Sequence, residues 1–403
     1  MNAGKGGIAL DNRKRYISLG LTLLLHANNH AMFSMLMPLG TTLKRYFGFA
    51  DLSPVALGFT MYLFLYGFGQ IPIGFLSDRM SRKTLLAAGA VLNGIAIALV
   101  AAFPNYTFFL VGMTVAGIGA AAYHPVNASY VSDLFRKSRG TALGLSGIGA
   151  TVGLFFGPLA SGYLCESIGW KVTFLIFSAI SVIVDGVFMI MAMEPEREKF
   201  QPGDPGGGWG RGLIIFLAIA ATIFTLREFA GWGGYFLIPV FSETIYGYSI
   251  AYAGTIGALQ TVGGFIAQPL GGYLSDRFGR RVLMSFFLFF CALFMILIPF
   301  GGKRFLVTTV LLYGFMYTAT VPIIDALIAD RTPGHIRGAV FGLFMASGIG
   351  ISSFSQFIQA KIIDASAAEY SGFLICFIML GACVFLSMVV MLLFRGAEEK
   401  NVV

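Results

Sequence analysis

The stretch Gly74-Phe75-Leu76-Ser77-Asp78-Arg79-Met80-Ser81-Arg82-Lys83 returns in nearly the same form as Gly272-Tyr273-Leu274-Ser275-Asp276-Arg277-Phe278-Gly279-Arg280-Arg281. The two aspartates are 198 residues apart, and so are the dipeptides Arg139-Gly140 and Arg337-Gly338. Because separate anchors share one spacing close to half of the chain, the sequence indicates an internal repeat of two similar halves. Each charged copy lies between long apolar runs, which predicts a short loop at a membrane surface in each half.

The composition is that of a membrane protein. Of the 403 residues, 57% are hydrophobic and 11% are charged, and the mean hydropathy is +0.81. Soluble domains carry about 25% charged residues, so this chain has too few charges to cover a water-facing surface. A membrane-spanning helix needs about 20 mostly apolar residues. Twelve such runs occur, at residues 16–39, 53–77, 84–103, 106–131, 141–164, 170–193, 212–241, 250–274, 282–300, 305–328, 338–362 and 371–394.

The positive charges fall mainly on one side of these runs. The net charge of +8 suggests a nucleic-acid partner, but most of the 27 Lys and Arg residues lie in one set of alternate loops and in the tails. The other loops hold Lys44, Arg45, Lys171, Lys303 and Arg304. This positive-inside bias predicts that both termini are cytoplasmic. We expect a multi-pass protein of the cytoplasmic (inner) membrane.

One long polar connection divides the chain. Residues 194–211 begin with a charged stretch and continue into a Pro- and Gly-rich one, a composition typical of a flexible linker. The sequence therefore predicts an N-terminal six-helix bundle at 1–193, a cytoplasmic linker at 194–211 and a C-terminal six-helix bundle at 212–403. The predicted fold class is an all-α membrane protein with twelve transmembrane helices in two pseudo-symmetric six-helix bundles.

The repeated loop carries a family resemblance. Its pattern Gly-x-x-x-Asp-Arg-x-Gly-Arg-Lys/Arg, placed once in each half on either side of a linker, resembles that of the major facilitator superfamily of secondary transporters. The second copy fits throughout, whereas the first has Ser81 in place of Gly. The resemblance covers essentially the whole chain. It implies the major facilitator fold, with this loop as a latch between the halves.

The resemblance implies gating roles for the charged residues of the two loops. Asp78 and Asp276 are expected to cap helix ends or to meet arginines, because helix N-termini attract carboxylates. Asp133 is the expected partner of Arg79 or Arg82. The alternative is that these charges only fix the topology. The gating candidates are Asp78, Arg79, Arg82, Asp133, Asp276, Arg277 and Arg280.

Two further motifs refine the resemblance. The stretch Gly153–Gly162, with Gly157-Pro158 at its centre, is similar to the Gly-x-x-x-Gly-Pro-x-x-Gly-Gly motif of antiporter branches. It favours export and makes Gly157 and Pro158 gating candidates, although a plain packing kink is the alternative. The pair His124-Pro125, with the stretch His26–His30, is similar to the fosmidomycin-resistance group of antiporters. That group tends to have an acidic residue after Pro, where this chain has Val126.

Polar residues inside the apolar runs occupy matching positions in the two halves. The 198-residue offset places Arg227 on Asn29 and Asp325 on Asn127. They lie on the first, fourth, seventh and tenth spans, which line the central cavity in the superfamily. Ionisable groups within a membrane are costly and usually functional, and transporter sites lie near the midplane between repeats. The substrate site is therefore expected here.

Arg227 is the main candidate for binding an anion, because its planar guanidinium matches carboxylate or phosphonate geometry. Its neighbour Glu228 is expected to face a different groove, since adjacent helical residues diverge by about 100°. The alternative is that Arg227 pairs internally with Glu228 or Asp325. The substrate-binding candidates are Arg227, Asn29, His30, His124, Asn127, Tyr66, Gln260 and Tyr235.

Asp325 and Glu228 are the candidates for proton coupling, because a buried carboxyl group can exchange a proton near neutral pH. A permanent salt bridge between Asp325 and Arg227 is the alternative. His124 and His30 are further candidates for proton exchange near neutral pH, and a hydrogen-bonded packing role is equally open for either. For Tyr66, Gln260 and Tyr235 the alternative to cavity lining is packing.

These patterns favour a proton-coupled secondary active transporter that moves a small organic anion or amphipathic compound by alternating access. Export by proton antiport is preferred, and proton-symport uptake of a monocarboxylate-type anion or a lysolipid flippase are the alternatives. An enzyme is not expected, because the sequence shows no soluble domain, no metal-ligand spacing and no nucleophile–base pair. Direct ATP drive is not expected either, because no Gly-x-x-x-x-Gly-Lys-Ser/Thr loop occurs. The expected partners are a small-molecule substrate, protons and membrane lipids, with no cofactor, no metal, no nucleic acid and a monomeric chain.

Overall fold

The computed structural model describes residues 3–196, 210–332 and 337–394, and these residues form α-helices with two short 3-10 turns. Most of the predicted linker at 194–211 lies outside the described residues, so the domain boundaries stay predictions.

The helices are α1 Ala3–Ser34, α2 Gly40–Phe47, α3 Ser53–Phe68, α4 Gln70–Ser77, α5 Arg82–Ala102, α6 Tyr106–Ala121, α7 Tyr123–Leu134, α8 Arg139–Ile168, α9 Trp170–Met191, α10 Arg211–Tyr246, α11 Ile250–Val262, α12 Gly264–Phe278, α13 Arg280–Leu297, α14 Gly302–Arg331, α15 Arg337–Ser352, α16 Phe354–Asp364 and α17 Glu369–Leu393. The 3-10 turns are Met37–Leu39 and Ile298–Phe300.

Eleven helical segments in the described part of the chain are long and apolar enough to cross a membrane. Four of these segments consist of two helices in line: α3 with α4, α6 with α7, α11 with α12, and α15 with α16. The junction residues Gly69, Ala122, Gly263 and Ser353 keep right-handed helical backbone angles, so each pair continues as one span.

The twelfth expected span is α1, which differs from the other eleven in polarity. It is 32 residues long, more than a bilayer requires, but it is not among the eleven apolar segments. Its lower hydropathy follows from the basic residues 13–15 and from the buried polar stretch His26–His30. Because α1 packs along α8, it belongs to the helical bundle all the same.

The two copies of the repeated loop differ in backbone at the position where the first has Ser81 and the second has Gly279. Gly279, between α12 and α13, has φ of 90°, a value that L side chains rarely adopt. Ser81 at the equivalent position has φ of −54°, and its hydroxyl accepts a hydrogen bond from the N–H of Thr84 at 3.1 Å. The serine therefore serves as the N-cap of α5, which gives its departure from the glycine pattern a structural role.

Close packing of α1 on α8 depends on glycines one helical turn apart. A Cβ atom on Gly149 would lie 2.3 Å from the carbonyl oxygen of Leu23, and one on Gly153 would lie 2.2 Å from that of Ala27. Between helices in lipid, small residues of this kind let the backbones approach and gain van der Waals contact. The two helices are thereby fixed in one register inside the N-terminal half.

The N-terminal half, α1–α9, meets the C-terminal half, α10–α17, along two equivalent seams. In one seam α8 packs on α11, and in the other α3 packs on α15 and α16. A Cβ atom on Gly254 would lie 2.3 Å from the carbonyl oxygen of Pro158, and one on Gly67 would lie 2.3 Å from the backbone nitrogen of Gly350. Glycine backbone contact therefore closes both seams.

At the end of the bundle away from the linker, here called the distal end, each half binds a helix start of the other. Glu166 accepts a hydrogen bond from the N–H of Ala251 at 2.9 Å, at the start of α11. Asp364 accepts from the N–H groups of Leu52 at 2.7 Å and Ser53 at 2.9 Å, at the start of α3. The 198-residue offset relates Glu166 to Asp364 and Ser53 to Ala251. The two contacts are thus pseudo-symmetric copies of one interaction, favoured by the helix dipole.

A third contact at the distal end joins positions that are themselves equivalent. Arg45 and Glu243 are 198 residues apart and form an ion pair at 2.9 Å, while the hydroxyl of Thr41 also donates to Glu243. At the opposite end of α8, Cβ atoms built on Gly140, Gly144 and Gly147 would meet nothing within 4 Å. The two halves are therefore tied together at the distal end, while α8 has free space beside it toward the linker end.

Removal of both pseudo-symmetric carboxylates should open the distal end. In Glu166→Ala/Asp364→Ala the first-turn N–H groups of α3 and α11 lose their acceptors from the other half. Double electron–electron resonance between spin labels at Asp51→Cys and Lys303→Cys, with the four native cysteines replaced, should show a larger population at long distance.

The matched control is Glu369→Ala, which removes an exposed carboxylate from the distal start of α17. It should leave the distance distribution as it is in the parent. An unchanged distribution in the double variant would show that these contacts do not bias the closure of the distal end.

Candidate transport site

The charged group of the C-terminal half is built around Arg227 on α10. Its guanidinium donates from Nε to the hydroxyl of Thr320 at 2.5 Å and from Nη2 to the carbonyl oxygen of Tyr317 at 3.1 Å. The guanidinium carbon also lies 4.0 Å from the centre of the Tyr317 ring, a cation–π contact. Arg227 is 1% exposed, so this cation is fully enclosed by protein.

The counterion of Arg227 is its sequence neighbour Glu228. Nη1 of Arg227 donates to Oε1 of Glu228, and the hydroxyl of Tyr317 donates to Oε2 at 3.3 Å. The expectation that the two residues face different grooves is therefore wrong. The physical reason is reach: both side chains are long enough to bend toward Tyr317 on α14, although their Cβ atoms diverge around α10.

Asp325 lies one and a half turns beyond Thr320 on α14 and remains outside this ion pair. Its carboxylate interacts electrostatically with Arg227 and Glu228. Among the described residues, it makes no hydrogen bond and no ion pair within 4.0 Å. The alternative of a permanent salt bridge between Asp325 and Arg227 is thus not what this conformation contains, because Glu228 occupies the guanidinium.

The polar group of the N-terminal half is a cluster of three histidines with aromatic partners. The ring centres of His26 and His30 on α1 are 5.0 Å apart, and those of His124 on α7 lie 5.3 and 5.6 Å from them. The Tyr66 hydroxyl is 2.6 Å from Nε2 of His124. Nδ1 of His26 is 2.9 Å from the carbonyl oxygen of Ser146 on α8. Four spans thus meet at this cluster.

Other predicted residues are placed beside these groups rather than within them. The amide of Asn127 donates to the Ser146 hydroxyl at 3.1 Å and so joins the edge of the histidine cluster. Asn29 instead donates to the carbonyl oxygen of Ala120 at 3.1 Å and ties α1 to α6. Gln260 donates to the Gly257 carbonyl oxygen at 3.3 Å on its own helix.

All of the substrate-binding candidates except His124 are buried. Tyr235 is enclosed beside Trp232, with ring centres 5.7 Å apart. Among the described residues, no hydrogen bond or ion pair links the histidine cluster to Arg227 or Glu228. The two groups are therefore separate features of the two halves, related by the sequence offset that matches His30 with Glu228.

Several partners in these groups were not among the predicted substrate-binding residues. Tyr317 and Thr320 hold Arg227, and Tyr123 stacks on His26 with ring centres 4.5 Å apart. A tyrosine or threonine in an apolar run carries no signal that separates a ligand of a charged group from a packing residue. His26 did carry one, since His26 and His30 are four residues apart and share a helix face.

The predicted gating residues make their described contacts within one half. Arg82 pairs with Asp133 and donates to the carbonyl oxygen of Ser129 at 3.1 Å, which joins α5 to α7. Arg280 pairs with Asp330 at 2.6 Å and with Asp276 at 2.9 Å, which joins α13 to α14 and α12.

These ion pairs stabilise each half at the linker end, and among the described residues they do not bridge the halves. Asp78, Arg79 and Arg277 lie exposed on the same surface.

The two gating candidates on α8 face different neighbours. A Cβ atom on Gly157 would lie 2.0 Å from the Ser34 hydroxyl, so Gly157 belongs to the packing of α1 on α8. The carbonyl oxygen of Pro158 instead approaches Gly254 of the other half. Only Pro158 of this pair lies at the seam where the halves would move.

A multi-pass helical bundle of two related halves, with buried polar groups at equivalent positions, is typical of a membrane transporter. A family model described as Major Facilitator Superfamily matches residues 20–229 and 223–402. The chain belongs to the Major Facilitator Superfamily, in agreement with the resemblance of its repeated loop.

Known relatives are similar at low identity. The MFS-type transporter pynF of Aspergillus niger is 26% identical over 328 residues, which cover 78% of this chain and 73% of that protein. The multidrug resistance protein MdtG of Escherichia coli is 25% identical over 289 residues, covering 66% of this chain and 67% of that protein.

Solved structures share the fold. A bacterial homolog of the human lysosomal transporter Spinster, in an inward-facing and occupied conformation, has a TM-score of 0.80 at 16% identity and covers 95% of this chain and 97% of its own. A D-xylose-proton symporter has a TM-score of 0.81 at 17% identity, with coverage of 96% and 98%.

Loss of Glu228 should destabilise the fold, because it leaves the enclosed Arg227 without a counterion. Breaking a buried ion pair in this way costs about 3–5 kcal/mol. We expect Glu228→Gln to lower the thermal unfolding midpoint of the detergent-purified protein clearly, and Arg227→Met/Glu228→Met to lower it less.

Glu243→Gln on the same helix removes a carboxylate whose partner Arg45 is 67% exposed, so it should have a small effect. Equal midpoints for Glu228→Gln and Glu243→Gln would contradict the assignment of Glu228 as the counterion.

Proposed function

We propose that this chain is a proton-coupled secondary active transporter that moves a small organic anion or amphipathic compound across the cytoplasmic membrane by alternating access. The observation that carries the proposal is the enclosed pair of Arg227 and Glu228, with the carboxylate of Asp325 close by and free of hydrogen bonds to described residues. A permanent cation, a carboxylate that occupies it and a second carboxyl group are the parts that exchange of an anion against protons requires.

The proposed coupling is a competition for the Arg227 guanidinium. While Glu228 is ionised it occupies Nη1, and an anionic substrate would have to displace it. When Glu228 takes up a proton, the attraction between the two side chains is lost and the guanidinium becomes available to a carboxylate or phosphonate. Substrate and ionised Glu228 thus exclude one another at Arg227. This step by itself binds the anion together with a proton, as symport does, so the preferred antiport requires the opposite effect from Asp325.

Asp325 is the proposed second proton carrier. It lies on α14, the helix that also supplies Tyr317 and Thr320 to Arg227, and its charge interacts with that of Glu228. Two carboxylates near one arginine repel each other when both are ionised. A proton on one of them therefore favours loss of the proton from the other. Protonation of Asp325 would therefore be felt at the substrate site without direct contact.

Alternating access would use the two seams between the halves. The distal end is closed by contacts that the repeat duplicates, and both seams are glycine-mediated, which allows rigid halves to rock. In the proposed orientation, the linker end and both termini are cytoplasmic, and the free space beside α8 lies on that side. The substrate, the protons and the lipids are the proposed partners of a monomeric chain.

Export by proton antiport is the preferred direction. The Gly157-Pro158 motif of the fifth span and the similarity to the multidrug resistance protein MdtG both favour it. Uptake of a monocarboxylate-type anion by proton symport is the second candidate, because a single enclosed arginine with an adjacent carboxyl group also suits co-transport of an anion with a proton.

Asp325→Asn should abolish transport driven by a pH gradient and should preserve part of the substrate exchange at equal pH. The amide keeps the size of the side chain and removes the proton site. Flux into proteoliposomes, with and without a pH gradient, checks this outcome. Asp185→Asn is the matched control, since Asp185 is a buried carboxyl group on α9 that bonds to Ser181 instead. Full pH coupling in Asp325→Asn would remove Asp325 as a proton carrier.

Arg227→Ala should abolish ligand-induced stabilisation by small anions. A ligand that binds only the folded state stabilises it by mass action, so the melting temperature can be screened against monocarboxylates, phosphonates, lysolipids and cationic drugs at pH 5.5 and 7.5. Arg304→Ala, at the exposed start of α14, keeps the net charge of the variant equal and should respond like the parent.

Stabilisation of the parent by amphipathic cations or lysolipids alone would contradict the arginine-centred site. It would favour a multidrug exporter or a flippase instead.

A further inference from the structure

His26, His30 and His124 form a group whose geometry goes beyond packing. One ring nitrogen from each histidine can be chosen so that all three atoms lie within 4.8 Å of one another. His26 and His30 are 7% and 6% exposed, and His124 is partly buried. Three imidazoles therefore converge in an enclosed space, and no acidic side chain belongs to the group among the described residues.

Hydrogen bonding prepares His26 to act as a ligand. A carbonyl oxygen only accepts, so the contact of Nδ1 with the Ser146 carbonyl at 2.9 Å places the proton on Nδ1. Nε2 of His26 then carries a lone pair, and it has no partner among the described residues. Fixing one ring nitrogen by a backbone carbonyl is the usual arrangement around a metal-bound histidine, where it sets the tautomer and the ring orientation.

His30 and His124 complete the group in different ways. Both ring nitrogens of His30 are buried and without a described partner, so its ring can turn without breaking a hydrogen bond. His124 has Nε2 2.6 Å from the Tyr66 hydroxyl. In the tautomer in which Nε2–H donates to that oxygen, Nδ1 carries the lone pair that a metal ion requires. A buried polar nitrogen that lacks a partner is unusual in a folded protein. In this cluster Nε2 of His26 and both ring nitrogens of His30 are such atoms. Their convergence points to a ligand that binds them.

The packing of α1 on α8 positions the first two histidines. A Cβ atom on Gly149 would lie 2.7 Å from the Cβ atom of His26, and one on Gly153 would lie 2.9 Å from that of His30. Tyr123 stacks on the His26 ring with centres 4.5 Å apart, and its hydroxyl donates to the Thr22 carbonyl at 2.8 Å. The positions of His26 and His30 are thus fixed by the glycine contacts of α8, and the His26 ring is also fixed by Tyr123.

We propose that His26, His30 and His124 bind one divalent transition-metal ion of the Zn²⁺ class. Imidazole nitrogen suits zinc, copper and nickel, whereas Mg²⁺ and Ca²⁺ require oxygen ligands, which this group lacks. Nitrogens around a tetrahedral Zn²⁺ ion are about 3.3 Å apart, so the rings move inward by about 1 Å. Three protein ligands leave one position for water or a further ligand. Because all three imidazoles are neutral, the bound ion keeps its full charge.

The site is independent of the anion and proton roles proposed for the C-terminal half. Its test therefore measures equilibrium binding and needs no transport. The full chain is purified without a polyhistidine tag, treated with a chelator, reconstituted in detergent and dialysed against Zn²⁺ or Co²⁺. The expected result is one ion per chain by elemental analysis, with visible Co²⁺ absorption bands whose intensity indicates four-coordinate geometry.

Single variants separate this site from adventitious binding. His26→Gln and His30→Gln should each weaken Zn²⁺ binding by at least about 100-fold, more than loss of an outer partner usually costs. His335→Gln removes the only other histidine of the chain and should bind as the parent does. His30→Cys keeps a metal ligand, so it should retain Co²⁺ and add a sulfur-to-metal charge-transfer band.

Two results would overturn the proposal: absence of stoichiometric binding to the parent, or binding that survives in both glutamine variants. If the glutamine variants aggregate, the His30→Cys spectrum decides. With the four native cysteines replaced, a thiolate band arises only when residue 30 contacts the metal.

Discussion

The architecture depends on backbone contact between helices that carry glycine at the point of approach. Lipid is as apolar as a leucine side chain, so apolar burial alone does not hold membrane helices together, and close van der Waals packing must. Gly149 and Gly153 seat α1 on α8, and the pair Gly162 and Gly254 seats α8 on α11 of the other half. The same contacts that assemble the bundle therefore fix the positions of the polar side chains on α1.

The two halves enclose different kinds of polar side chain. The C-terminal half encloses the ion pair of Arg227 and Glu228, which tyrosine and threonine partners on α14 complete. The N-terminal half encloses three imidazoles, of which His30 occupies the position equivalent to Glu228. The repeat supplies the same scaffold twice, and different residue types at matched positions give the halves complementary chemistry. Closure of the distal end instead uses the same interaction on both sides of the pseudo-twofold axis.

Several features of this protein can be predicted from the order and spacing of residues along the chain alone. The 198-residue offset, the apolar runs and the loop pattern specify spans, fold class and family, and the fold and family are confirmed. α1 shows the limit of a hydropathy criterion, since a helix with a polar face can still lie in the bundle. The relation of Arg227 to Glu228 was wrong because helical geometry describes Cβ directions, whereas long side chains bend toward a common partner.

The sequence by itself determined that this is a two-fold repeated helical membrane protein, and it determined which polar residues enter the membrane. The chemical type of each residue and its spacing along one helix follow directly from the amino-acid order. The tertiary structure alone decided which of those residues meet. His26 and His30 lie next to His124 from another helix, and Glu228 rather than Asp325 forms the ion pair with Arg227. Such contacts depend on helix register and side-chain reach, which are set by packing between segments distant in sequence.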